Sequence, residues 1–144
     1  MESKVASSHD VKYPRLSEIL DNYGFKSVII NLPLTYPFSG ISKKENTVII
    51  SDWAAPEQKI YPDHLLQKYK EYLIDPPHEW WKCTTNNRNE YASIVKEYTE
   101  TRLDIYYDLL ERVKWDLFFI VFSEIDWLSH IYPEILEERK YSFS

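Results

Sequence analysis

Apolar positions along the chain alternate between short continuous runs and stretches where they return every third or fourth residue. LSEILDNYG is of the second kind, with Leu16, Ile19, Leu20 and Tyr23 on one helical stripe. Pro14 precedes this predicted helix and Gly24 supplies a stop at its C-terminus. SVIINLPL follows, a β-branched run ended by Pro33, and NTVIIS predicts a second short strand starting near Thr47. Between them, TYPFSGISKKEN reads as a surface connection. DHLLQKYKEYL predicts a helix with Asp63 at its start and Leu65, Leu66, Tyr69, Tyr72 and Leu73 on one face. DPPHEWWKCTTNNRNE has no period and predicts irregular structure.

From Tyr91 to about Lys114 a long helix is expected. Ile94, Val95, Tyr98, Arg102, Ile105, Tyr106, Leu109, Leu110 and Val113 recur at three- and four-residue steps, with Arg102 as the one polar interruption. WDLFFIVF is apolar on both faces, the pattern of a strand covered on both sides. A last helix is expected from about Tyr132 and Pro133. This order of elements predicts an α/β fold with a mainly parallel sheet flanked by helices.

A length of 144 residues fits a single domain. The net charge of −6 argues against a nucleic-acid or anionic-membrane surface, since phosphate binding needs a positive field. Only two glycines occur, Gly24 and Gly40, where average usage would give about ten. A Walker loop and a dinucleotide fingerprint each need several, so both are excluded. The one cysteine, Cys83, has no partner for an internal disulfide and no assignable base, and is not expected to be a nucleophile. No apolar stretch approaches the ~20 residues of a membrane span, and MESKVASSHD has no signal-peptide core. A cytoplasmic location is the expectation.

The candidate chemistry lies in VFSEIDWLSH, where Asp126 and His130 stand four residues apart just past a predicted strand. Ligands gather at the carboxyl ends of strands in open α/β sheets. On a helix, residues i and i+4 share a face, and a carboxylate with a neutral imidazole suits zinc or manganese. Spacing alone decides little, because nine aspartates and four histidines would give such a match in roughly a quarter of comparable chains. From the local pattern, a metal pair and an acid that merely starts a surface helix both stay open.

His9, His64 and His78 are the remaining histidines, and none is expected to bind metal: Asp63-His64 reads as a helix start and Asp75-Pro-Pro-His78 as loop. Thr35 and Thr84 lack a paired base. HEWWKC reads as buried tryptophan packing rather than a binding surface.

Taken together, these segments resemble the type I phosphodiesterase/nucleotide pyrophosphatase family of the alkaline phosphatase superfamily. LSEILDNYGFKSVIINLPLTYP is similar to the family's helix and strand ending in Asn31, Leu32, Pro33, Leu34, Thr35, Tyr36 and Pro37. VIISDWAAPEQKIYPDHLLQKYKEYL is similar to its next strand, loop and Tyr-Pro-led helix, and WDLFFIVFSEIDWLSH to the strand whose ending supplies two ligands of one metal ion. The resemblance spans roughly positions 8 to 140. It implies a partial alkaline-phosphatase-like domain, Asp126 and His130 as ligands of a divalent ion, zinc or manganese, and phosphate ester hydrolysis.

The family's first metal-binding aspartate and its nucleophile would lie before this chain, and its Asp-His-Gly motif and final histidine ligand after it. Ile125 stands where a small polar residue is common, and Trp127 where a basic one is frequent. The expectation is therefore the middle section of a truncated or split metal-dependent phosphodiesterase, inactive alone. No nucleophile or cofactor-binding residue is assigned in this chain. The alternative is a non-enzymatic α/β protein-interaction module. A domain cut from a larger sheet exposes apolar surface and unpaired edges, so self-association or a complementing polypeptide is expected under either reading.

Overall fold

The computed structural model describes residues 6–40, 46–73, 76–77, 79–84 and 86–134. Four short strands make one sheet: β1 (Ser27–Ile30), β2 (Thr47–Ile50), β3 (Ile60–Tyr61) and β4 (Leu117–Ile120), in the order β3-β2-β1-β4. β1 runs parallel to both β2 and β4, and β3 closes one side antiparallel to β2. Three helices flank it, α1 (Leu16–Asn22), α2 (Arg88–Arg112) and α3 (Ser123–Ile131). The α/β class and the mainly parallel sheet agree with the pattern of apolar runs.

Val28 and Ile30 point to the same side of the sheet as Ile50 and Ile60. There they meet Tyr69, Tyr72, Ile105, Tyr106 and Leu109 in the main core. Each aliphatic side chain fully buried in this way contributes about 1.5–3 kcal/mol. Arg102, the interruption on α2, is also inside, at 1% exposure. Its guanidinium lies 3.9 Å from the Tyr72 ring centroid and 4.0 Å from that of Tyr98, and it donates to the Tyr72 hydroxyl (3.0 Å) and Gln58 Oε1 (3.3 Å). Cation–π contact and hydrogen bonds let a charge occupy a core position.

Several elements differ from the pattern-based expectation. DHLLQKYKEYL is not an α-helix but two 3-10 turns, Asp63–Leu65 and Lys70–Leu73. Tyr69 and Tyr72, three residues apart, both reach α2: Tyr69 donates to Asp108 (2.7 Å), and Tyr72 meets Arg102. Three residues per turn stacks such a pair on one side. Lys68 and Tyr69 together hold the Asp108 carboxyl down at about 2. The segment expected to be irregular contains a 3-10 turn, Trp80–Lys82, and α2 begins three residues earlier than the period suggests.

The apolar stripe of α1 faces outward: Leu16, Ile19 and Tyr23 are exposed, while Ser17 and Glu18 are buried. Glu18 accepts a hydrogen bond from the Arg15 backbone N–H (2.9 Å), which caps the start of this short helix. Gly24 does end the helix, at φ +78°. β4 is a sheet edge among the described residues, and Phe119 is 40% exposed, so it is not covered on both sides. The helix expected from Tyr132 lies mostly outside the described residues; α3 ends at Ile131.

One side chain joins the carboxyl ends of three strands. Asn31, just past β1, is 1% exposed and sits at φ +59°, a region asparagine tolerates. Its Nδ2 donates to the Val121 carbonyl (2.7 Å) and to Ser123 Oγ (3.0 Å) beyond β4, and its Oδ1 accepts the Trp53 N–H (2.8 Å) beyond β2. Asn31→Ala leaves these buried groups unpaired and is expected to lower unfolding free energy by about 3 kcal/mol. Urea denaturation checks this, and a loss below about 1 kcal/mol would rule out the clamp.

Candidate functional site

The chain leaves β4 through Val121 and Phe122 and turns at once into α3. Glu124 and Asp126 lie in the first turn, where carboxylates suit the positive end of the helix. Two faces of α3 then diverge. Ser123, Glu124 and Trp127 point inward. Trp127, 1% exposed, packs edge-on against Trp53 (centroids 5.9 Å, 89°) and tilted against Tyr98 (5.9 Å). This packing accounts for a tryptophan where the resembled family often carries a basic residue.

Asp126 and His130 project from the other face. His130 Nε2 lies 3.6 Å from Asp126 Oδ2, with side chains 44% and 68% exposed respectively. The His130 ring stacks flat on Trp80, with centroids 4.1 Å apart and planes at 8°. Trp80 comes from the 3-10 turn Trp80–Lys82, so that turn fixes the plane of the imidazole while its edge stays open. Beyond α3, Arg88 pairs with Glu134 (3.1 Å) and the Tyr132 hydroxyl donates to Asn89 Oδ1 (2.6 Å), tying the end of α3 to α2.

No group of three or more His, Cys, Asp or Glu forms a potential metal cage among the described residues. His9 lies 3.4 Å from Ser39 Oγ, and His64 is exposed in its turn. His78 lies outside the described residues. Thr35 is buried and donates to the Leu32 carbonyl (2.9 Å); Thr84 donates to Asn87 Oδ1 (3.1 Å) at the start of α2. Both threonines therefore serve local turns. Burial pushes the Cys83 thiol up, which favours its protonated form. The expected burial of both tryptophans in HEWWKC holds only in part: Trp80 is half-buried against His130, but Trp81 is 57% exposed.

Two acids that residue spacing does not single out, Asp52 and Glu124, are buried. Burial raises the Asp52 carboxyl, although Oδ1 accepts the Ala54 N–H at 3.1 Å. Glu124 is also raised by burial, with Arg102 pulling the other way, and its Oε2 has no hydrogen-bond partner. The only trace in the sequence is an acid a few residues past an apolar strand. Compared with known proteins, the chain matches no protein-family model, no curated protein and no solved structure. No described helix is long and apolar enough to cross a membrane.

The raised Asp52 predicts a pH effect. A native acid that holds its proton more tightly than the unfolded chain gains stability as pH falls from neutrality toward its ordinary value of 3.8. Asp52→Asn keeps the Ala54 contact and removes the titration. The variant is expected to melt above the wild type at pH 7, with the gap closing toward pH 4. A gap independent of pH would contradict the assignment.

Proposed function

We propose that Asp126 and His130 are two ligands of a divalent metal ion, zinc or manganese, in a phosphodiesterase/nucleotide pyrophosphatase-type hydrolase of the alkaline phosphatase superfamily. The observation that carries this reading is their convergence just beyond the carboxyl end of parallel β4. A separation of 3.6 Å is too long for a hydrogen bond. It is close to the about 3.4 Å between two ligands of one tetrahedral zinc at ordinary bond lengths. The donor set fits: a hard carboxylate oxygen, an imidazole nitrogen, and a ring held in plane by Trp80.

A bound ion would polarise a phosphoryl oxygen and stabilise negative charge on it. Asp126 contributes the compensating charge, and His130 a lone pair whose direction the Trp80 stack sets. Two ligands make an incomplete site. Further ligands and a nucleophile come from another segment or polypeptide, and the described residues alone hydrolyse no ester.

Titration of Mn2+ or Zn2+ into the purified protein tests the reading. Binding is expected to fall by at least about tenfold in Asp126→Ala/His130→Ala, the lower end of what disturbing even outer-shell partners does. Equal metal affinity in both proteins would sink it. Hydrolysis of bis-p-nitrophenyl phosphate with either metal is expected to stay at the same background in both. Activity lost in the variant would mean that the chain already holds a complete site.

A second reading, an interaction module without catalysis, draws on the open edge of β4 and the exposed Trp115, Phe119 and Phe122. Apolar edge strands invite pairing with another chain. Self-association measured by sedimentation is expected to weaken in Phe119→Lys; unchanged association would remove this support.

A further inference from the structure

A cavity of about 670 Å3 opens between the loop after β2, the Pro76–Pro77 segment and the first turns of α2. Its size is that of a small-molecule pocket. Trp53, Tyr91 and the two prolines give it an aromatic and apolar wall. Burial raises the Tyr91 hydroxyl to about 12, and that hydroxyl donates to the Pro77 carbonyl, so this wall carries no charge at neutral pH.

The charged part of the lining is mainly acidic. Glu57, Glu79 and Glu90 contribute three negative charges against one positive charge, on Lys82. Lys82 is already engaged by Glu79 at 2.7 Å. Glu57 accepts from the Tyr36 hydroxyl, which holds its carboxyl down and ionised, and it has Lys59 at 3.3 Å outside the cavity. Glu90 stands in the first turn of α2 and more than answers the partial positive charge of that helix end. Counting Lys59 and the helix end, the balance stays negative.

We infer that this cavity binds a small organic cation, an amine or quaternary ammonium with an apolar body, against the Trp53 and Tyr91 wall and the Glu90 carboxylate. Aromatic faces and carboxylates attract such a group together, and the apolar wall takes its methyl or methylene surface. A phosphate or carboxylate ligand meets like charge on the rim. The inference does not rest on the metal pair, neither member of which lines the cavity.

Choline and its neutral carbon isostere 3,3-dimethyl-1-butanol are the probes, followed by 15N–1H shifts of the tryptophan indoles, with Trp53→Phe identifying the Trp53 signal. Choline is expected to shift the Trp53 signal saturably, and the isostere to bind at least about fivefold more weakly. Glu90→Gln, at an exposed helix position, is expected to weaken choline about threefold, and so is raised salt. Asp126→Ala/His130→Ala is expected to bind choline unchanged, which separates this site from the metal reading. Equal affinity for the isostere, no effect of Glu90→Gln, or no saturable shift of Trp53 would each overturn the inference.

Discussion

Everything at the carboxyl edge of this sheet hangs on the Asn31 side chain. Parallel strands leave their chain ends free to diverge, because no hairpin joins them. Asn31 removes that freedom by bonding across to the segments that follow β2 and β4. An amide is the side chain that can do this, since one end must donate twice and the other accept. Its left-handed backbone then turns the chain toward Thr35, whose hydroxyl closes the next turn on the Leu32 carbonyl. The Asn-Leu-Pro-Leu-Thr-Tyr-Pro stretch therefore has a structural explanation of its own, separate from any family resemblance.

That clamp sets where α3 begins, and the two faces of α3 divide the labour. Trp127 anchors the helix between Trp53 and Tyr98, so its rotation about its axis is fixed. Asp126 and His130 are consequently presented together on the outside, with Trp80 as a flat backing to the imidazole. A histidine packed by its ring face keeps its nitrogens at the edge, which leaves the in-plane direction of a lone pair open. The proposed metal role draws its plausibility from this arrangement, and the incompleteness of the donor set limits what the described residues can do alone.

Apolar surface stays exposed elsewhere among the described residues. A parallel sheet is normally covered on both faces. Here α1 turns Leu16, Ile19 and Tyr23 to solvent, and β4 leaves Phe119 partly bare at an edge. Leu16, Ile19, Tyr23 and Phe119 do not line the cavity beside Tyr91.

The sequence by itself determined the α/β class, the positions of β1, β2 and α2, the Gly24 stop and the Asp126–His130 spacing. Those follow from local period, β-branching and glycine conformation, which are readable residue by residue. Tertiary structure decided the rest. A tyrosine pair reaching for Arg102 and Asp108 made 3-10 turns of a helical pattern. α1 lies with Ser17 and Glu18 inward and Leu16, Ile19 and Tyr23 outward, and β4 is a sheet edge among the described residues. The sequence could show that Asp126 and His130 share a helix face. Only packing could bring Trp80 onto the imidazole, Asn31 across three strands and Asp52 into the interior, because each depends on residues far apart in the chain meeting where water has been excluded.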